Sequence, residues 1–145
     1  MLKITGLKSY ERLNYKFSKL IRLHQDTVRN ELNKFGKKGV REMKQRMRER
    51  KTGRIYRMGG RNHRASSAGE APAVLTGTLY RGTQYEYIQT NNRYLLHLGY
   101  TTPYGKYLEF GTSRIAPRPN ISHVYSNRES LISPIMRRLV NQFNS

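Results

Sequence analysis

Nine carboxylates, four histidines and one pair of adjacent glycines are the residues from which this chain could assemble chemistry. Two-metal phosphodiester hydrolysis needs several carboxylates converging on one point. Glu11, Asp26, Glu31, Glu42, Glu49, Glu70, Glu86, Glu109 and Glu129 are instead spread over the whole length, and Asp26 is the only aspartate. Glu42-Met43-Lys44 matches a Glu-x-Lys nuclease triplet. Such triplets arise easily in a lysine-rich helix, and this one sits on the wrong element. His24, His63, His97 and His123 lack metal-ligand spacing; His24 falls in a helical stripe and His63 in a polar loop. No serine or threonine has the His and Asp neighbours of an activated nucleophile. Gly59-Gly60 is not followed by the helix start on which a phosphate-cradling loop depends. The expectation is a non-enzyme without metal or cofactor.

Charge offers a different chemistry. Lys and Arg number 28 against nine acids, a formal charge of +19. Through Arg64 there are 20 basic and five acidic residues; the remainder holds eight and four. A basic end of this kind meets a polyanion or an acidic protein surface, or is simply a solvated charged face. The run Lys37 to Arg64, with twelve basic residues and two acids, suffices for phosphate contacts. No recognition helix with base-reading Asn or Gln follows a tight turn, so any DNA contact would be sequence-blind. Tyr85, Tyr87, Tyr94 and Tyr100 lack the glycine and aromatic signature of an RNA-binding sheet and read as strand packing.

The most unusual stretch is Tyr104 to Pro119. Tyr104, Tyr107 and Leu108 are spaced as one face of a helical turn, with Pro103 just ahead of it. Phe110-Gly111-Thr112 stops the turn, and Gly111 suggests a positive φ. Pro117 and Pro119 stiffen the exit and hold Arg118 extended. Glu109, an acid in a very basic chain, is a candidate partner for Arg114 or Arg118, within or across subunits. The alternative is an exposed acid of little energetic consequence.

The elements that must position these residues read in order as follows. Leu2 to Thr5 alternates as a short strand closed by Gly6. Ser9 caps a helix whose stripe runs through Leu13, Phe17, Leu20, His24, Val28, Leu32, Phe35, Val40, Met43 and Met47. Unbroken from Tyr10 to Lys51, that helix would be about 63 Å long. Gly36 and Gly39 predict a bend or break, and a helix of this length predicts that its far half leans on a neighbour. Residues 51–75 read as a long flexible loop, rich in glycine and carrying Lys51, Arg54, Arg57, Arg61 and Arg64 as contacts for a partner or DNA. Leu75 to Leu79 begins a helical turn with Thr76 as cap. Thr83 to Thr90 and Arg93 to Tyr100 form a β-hairpin around Asn91-Asn92. Ile121, Val124 and Tyr125 make a short apolar set. Ser133-Pro134 reads as the start of a closing helix with Ile135, Leu139 and Phe143 on one face, which Ile132 could extend.

The whole is one domain over residues 1–145: strand and long helix in 2–50, loop in 51–75, hairpin and corner in 76–119, helical segment in 120–145. The class is α+β, with a long N-terminal helix and a C-terminal helix packed on a small antiparallel sheet. Hydrophobic content of 36% and mean hydropathy of −0.82 predict a thin core completed by a partner. Cysteine is absent, so no disulfide framework exists. No signal-like start and no apolar run of membrane length are present, giving the expectation of a soluble intracellular product with no membrane contact.

Four stretches carry a resemblance: Lys3-Ile4-Thr5-Gly6-Leu7, His63 to Ala73, Thr76-Gly77-Thr78-Leu79, and above all Tyr104 to Pro119 with Tyr107-Leu108-Glu109-Phe110-Gly111-Thr112 and Pro117-Arg118-Pro119. Together they resemble the head–tail joining family of tailed bacteriophages, the small neck and tail-completion proteins of the lambdoid siphoviruses. Ala68 and Ala71 stand where that family usually has prolines, implying a looser loop. Asn120 stands where an apolar residue usually follows Arg-Pro, implying weaker docking of the final helix. The resemblance implies a structural virion protein, made in the host cytoplasm. Its copies would form a hexameric or dodecameric ring between the connector or head-closure protein and the tail tube or terminator, with DNA passing through. Tyr104, Tyr107, Leu108, Glu109, Phe110, Gly111, Thr112, Arg114 and Arg118 would form the subunit or partner interface. The alternative is a sequence-nonspecific basic nucleic-acid-binding protein.

Overall fold

Val28, Leu32, Phe35, Met43 and Met47 recur every three or four residues, with an eight-residue step across Gly36 and Gly39, and their helix buries that side. It is α1 (Gln25–Arg48), with Asp26 in its first turn and Arg46 and Arg48 in its last, each charge complementing the helix dipole. The computed structural model describes residues 25–91 and 93–144. The expected opening strand, the Ser9 cap, the stripe as far as His24, Asn92 of the hairpin turn, and the side chains of Leu139 and Phe143 lie outside the described residues.

After α1 come a small hairpin, β1 (Ile55–Met58) and β2 (Arg61–Arg64), then a short helix α2 (Thr78–Arg81). A longer hairpin follows, β3 (Thr83–Thr90) and β4 (Arg93–Tyr100). The short helices α3 (Gly105–Phe110) and α4 (Ile121–Ser126) lead to the closing helix α5 (Arg128–Asn144). The class is α+β, with two separate two-stranded antiparallel sheets among the described residues.

The β3–β4 register pairs Thr83 with Tyr100, Tyr85 with Leu98, Tyr87 with Leu96 and Gln89 with Tyr94, so one face carries the tyrosines and leucines. Leu96, Leu98, Tyr94 and Tyr100 pack on the core of Val28, Phe35, Met43, Ile121, Val124 and Ile135. The helix α1 therefore lies between this hairpin and the C-terminal helices α4 and α5. Buried Glu31 ties α1 to α5: Lys34 lies 2.6 Å from one carboxylate oxygen and Arg138 3.0 Å from the other.

Three expectations are corrected. First, α1 continues through Gly36 and Gly39 without a break. A Cβ on Gly36 would lie 2.4 Å from the Tyr85 ring, and one on Gly39 would lie 2.9 Å from Leu98. These glycines are the footprint of the β3–β4 hairpin, and close packing offsets their poor helix propensity. Within Gln25–Arg48 the apolar stripe packs against the chain itself, with Met43 fully buried and Val28 and Met47 nearly so.

Second, the segment read as an unstructured loop contains β1–β2, closed by Gly59 and Gly60 at φ 55° and 78°. Two successive positive-φ residues make the tight hairpin turn whose twist matches the strands. Third, the closing helix starts at Arg128, and Pro134 sits inside it. Proline removes one helical N–H there, while Ile132 and Ile135 on either side hold the segment to the core. The expected turn near Thr76 is present as α2, with Gly77 at its N-terminal boundary at φ 79° and the Thr76 hydroxyl accepting from the Thr78 amide at 3.4 Å.

Candidate functional site

The segment Tyr104–Pro119 forms the corner anticipated from its residues, and it buries the Gly105 and Glu109 side of its helical turn. Gly105 lets the turn rest on Tyr100, whose ring carbons would lie 2.6 Å from a Cβ there. Tyr104 is 43% exposed, Tyr107 49%, Phe110 69% and Ile115 40%; Leu108 is half-buried. Of the residues assigned to an interface, Tyr104, Tyr107 and Phe110 thus lie on the outward side of the turn. Three-residue steps from 104 to 107 to 110 keep these rings near one another on the turn, and Lys106 lies over the Tyr107 ring at 4.9 Å.

Gly111 ends the turn at φ 75°, in the left-handed region, as expected. A Cβ there would meet the Ile115 carbonyl at 2.7 Å. The Thr112 hydroxyl accepts from the Arg114 and Ile115 amides, and the Thr112 amide donates to the Ile115 carbonyl. The returning strand is zipped to α3 by the Arg118 amide donating to the Leu108 carbonyl at 2.7 Å.

Glu109 is not paired with Arg114 or Arg118. It is 4% exposed, and its two oxygens accept from the backbone amides of Asn120 at 3.2 and 3.0 Å, Ile121 at 3.1 Å and Ser122 at 2.7 Å. These amides open α4, where no carbonyl of the helix can reach them. A carboxylate from a distant turn supplies what a local capping residue ordinarily would. The charge is thereby enclosed, so Glu109 presents nothing to a partner. Arg118 instead donates to the Ser66 carbonyl at 3.2 and 3.0 Å and to the Ala116 carbonyl at 3.2 Å.

Asn120, expected to weaken docking of the last helices, is fully buried and pins them. Its amide nitrogen donates to the Met43 carbonyl at 3.1 Å, and its side-chain oxygen accepts from Arg46, which also reaches the Pro119 carbonyl. Tyr100 adjoins the same cluster: burial pushes its phenol well above the ordinary value, and the nearby Glu109 charge pushes the same way, against Asn120 and Arg46.

The basic loop is similarly redistributed. Lys51 is 8% exposed, and its ammonium donates to the Arg46 carbonyl at 2.6 Å, closing α1 rather than facing outward. Burial lowers its pKa, with Glu70 and Glu49 pulling the other way. Arg64 donates to the Gly53 carbonyl and Arg54 stacks over Tyr56 at 5.7 Å. Arg57 and Arg61 remain on the exposed β1–β2 hairpin, beside Ile55, Tyr56 and Met58, each about half exposed.

The loop after β2 is tied to the corner by Arg118 and by the Gly69 amide donating to the Pro117 carbonyl. It is tied to the segment that follows α1 by Glu70, which accepts from the Thr52 hydroxyl at 2.6 Å, the Ser67 amide at 2.8 Å and the Thr52 amide at 3.3 Å. These bonds, the Thr52 hydroxyl foremost, hold the Glu70 carboxyl below its ordinary 4.5, against a smaller effect of burial. A lowered folded value means the clamp contributes above pH 4.5 and weakens as pH falls through the lowered value. The Ser67 amide resonance should therefore titrate with a midpoint below 4.5, and Thr52→Ala should move that midpoint up. An unmoved midpoint would show that the hydroxyl does not set it.

Among the described residues no group of histidines and carboxylates is placed to hold a metal. Glu42 of the Glu-x-Lys triplet lies 3.8 Å from His123, and its neighbour Met43 is core. No described helix is long and apolar enough to cross a membrane. What the geometry offers is surface: an aromatic corner on a locked frame, an exposed basic hairpin and a cationic helix face. The sequence pointed to the corner. It gave no sign of Asn120 and Arg46, because their partners are backbone carbonyls of a distant element. No family model, curated protein or solved structure matches the chain.

Proposed function

We propose that this chain is a structural virion protein of a tailed phage, forming a ring at the head–tail junction that joins the connector to the tail tube and lets DNA pass. The observation that carries the reading is the outward aromatic corner: Tyr104, Tyr107 and Phe110 exposed on a turn whose other side is fixed by Glu109. Large apolar groups held rigidly toward solvent mark an interaction surface, and fixing them beforehand reduces the entropy lost on association. Copies of one chain using one such surface against a different one close into a ring where the rotation between them closes. The exposed Ile55, Tyr56 and Met58 of the β1–β2 hairpin supply a second surface. An isolated two-stranded hairpin gains stability by resting on something larger.

Size-exclusion chromatography with light scattering tests this. A discrete hexamer or dodecamer of the 17.0 kDa chain is expected, alone or on addition of connector or tail-tube protein. The double variant Tyr107→Ser/Phe110→Ser should stay monomeric with an unchanged circular dichroism spectrum, since both side chains are largely exposed. A wild-type chain monomeric under both conditions would overturn the reading.

A further inference from the structure

Lys37, Arg41, Lys44 and Arg48 follow one another at i, i+4, i+7 and i+11 on α1. At about 100° per residue these positions fall within a band of about 60°, a single line of cations along the helix. Two of the three acids of α1 lie off this line, and the third, Asp26, falls on it only at the far N-terminal end. Glu31 is buried against Lys34 and Arg138, Glu42 faces His123, and Asp26 lies in the first turn, about 16 Å beyond Lys37. No ion pair among the described residues involves any of the four cations. Lys44 and Arg48 are set side by side by one ring: their charged ends lie 5.1 and 4.5 Å from the centre of Tyr80. An open groove of about 500 Å³ runs past these residues, and a second one is lined by Asn30, Asn33 and Lys37.

We infer that this face of α1 is a binding site for the phosphodiester backbone of duplex DNA. The row extends about 16 Å, over which a duplex presents about five phosphates per strand. Its composition separates this occupant from an acidic protein. Protein interfaces have a core depleted in lysine and centred on apolar or aromatic anchors. Here the Tyr80 ring is already covered by two cations of its own chain, the Tyr85 ring that lines the second groove is packed against Gly36, and Val40 is half-buried between Lys37 and Lys44. Amide side chains at Asn30 and Asn33 continue the line with neutral donors suited to phosphate oxygens. No base-reading geometry accompanies the row, so binding follows charge and not sequence. The site is independent of ring assembly, since all its residues come from one chain.

The test is fluorescence anisotropy of a short labelled DNA duplex of arbitrary sequence, over a range of salt, against wild type and Lys37→Gln/Arg41→Gln/Arg48→Gln. Glutamine keeps an unbranched polar side chain and nearly the same helix propensity while removing charge. The wild type should bind with a logarithmic salt slope of at least about 3.6 in magnitude, and the variant's slope should be smaller by about 2.7. Near ~0.1 M salt its affinity should fall by roughly two decades. Unchanged affinity and slope in the variant, with binding lost instead in Arg57→Gln/Arg61→Gln, would overturn the assignment. So would equal affinity of the wild type for polyglutamate at the same salt.

Discussion

Replacing Glu109 by alanine is expected to lower the unfolding free energy by about 3–5 kcal/mol, read as a drop in the urea midpoint at unchanged slope. Three backbone N–H groups, those of Asn120, Ile121 and Ser122, point at this carboxylate. Each left buried without an acceptor costs about 1–3 kcal/mol. Water entering the vacated space keeps the total below the full sum. Glu109→Gln should cost less, because its carbonyl still accepts while its amide group confronts N–H donors with further donors. An exposed glutamate paired to arginine would behave differently, with a loss under about 1 kcal/mol for either substitution. A loss that small would refute the enclosed cap. The effect should also couple to Asn120, whose backbone amide donates to Glu109 while its side chain holds Met43 and Arg46. Removing both side chains should cost measurably less than the two single losses together, because they share one junction.

The same junction shows where sequence reading succeeds and where it stops. The β3–β4 hairpin was legible to the residue, because strand alternation is a local signal and Leu96, Leu98 and their neighbours keep it without interruption. Gly111 was legible because a turn end needing positive φ has few alternatives. Glu109 stood out as unusual, but its partners could not be read. Backbone amides carry no letter, and the sequence offered only arginines as candidates. Asn120 looked like a defect for the same reason. Gly59-Gly60 is a different kind of miss: the signal is local, but in a glycine-rich stretch it reads as loop, whereas two consecutive positive-φ glycines are how a hairpin closes. Lys51 counted as one more loop cation until the geometry turned it onto the end of α1. With the described half of the long stripe packed against its own chain, the case for assembly passes from α1 to the aromatic corner.

Gly36 is where a local rule should fail by the largest margin. In an exposed helix, glycine to alanine adds about 1 kcal/mol of stability. At Gly36 the sign should reverse. The new methyl would sit 2.4, 2.6 and 2.8 Å from three carbons of the Tyr85 ring, and a ring cannot give way as the end of a flexible chain does. Overpacking of this kind costs about 1–3 kcal/mol, so Gly36→Ala should be a net loss of about 1 kcal/mol, with Gly36→Val nearer 3 because β-branching adds bulk and removes the propensity gain. Gly39→Ala provides the contrast. Its nearest neighbour is a methyl of Leu98 at 2.9 Å, the mobile end of its side chain, so the change should be near zero. Chemical denaturation of the three variants checks the order. The cause is checked by a cycle with Tyr85→Ala, which opens the space and should recover most of the Gly36→Val loss. If Gly36→Ala instead stabilises the chain, the hairpin does not press on α1 at this point, and the glycine is a helix-weakening residue as its letter first suggested.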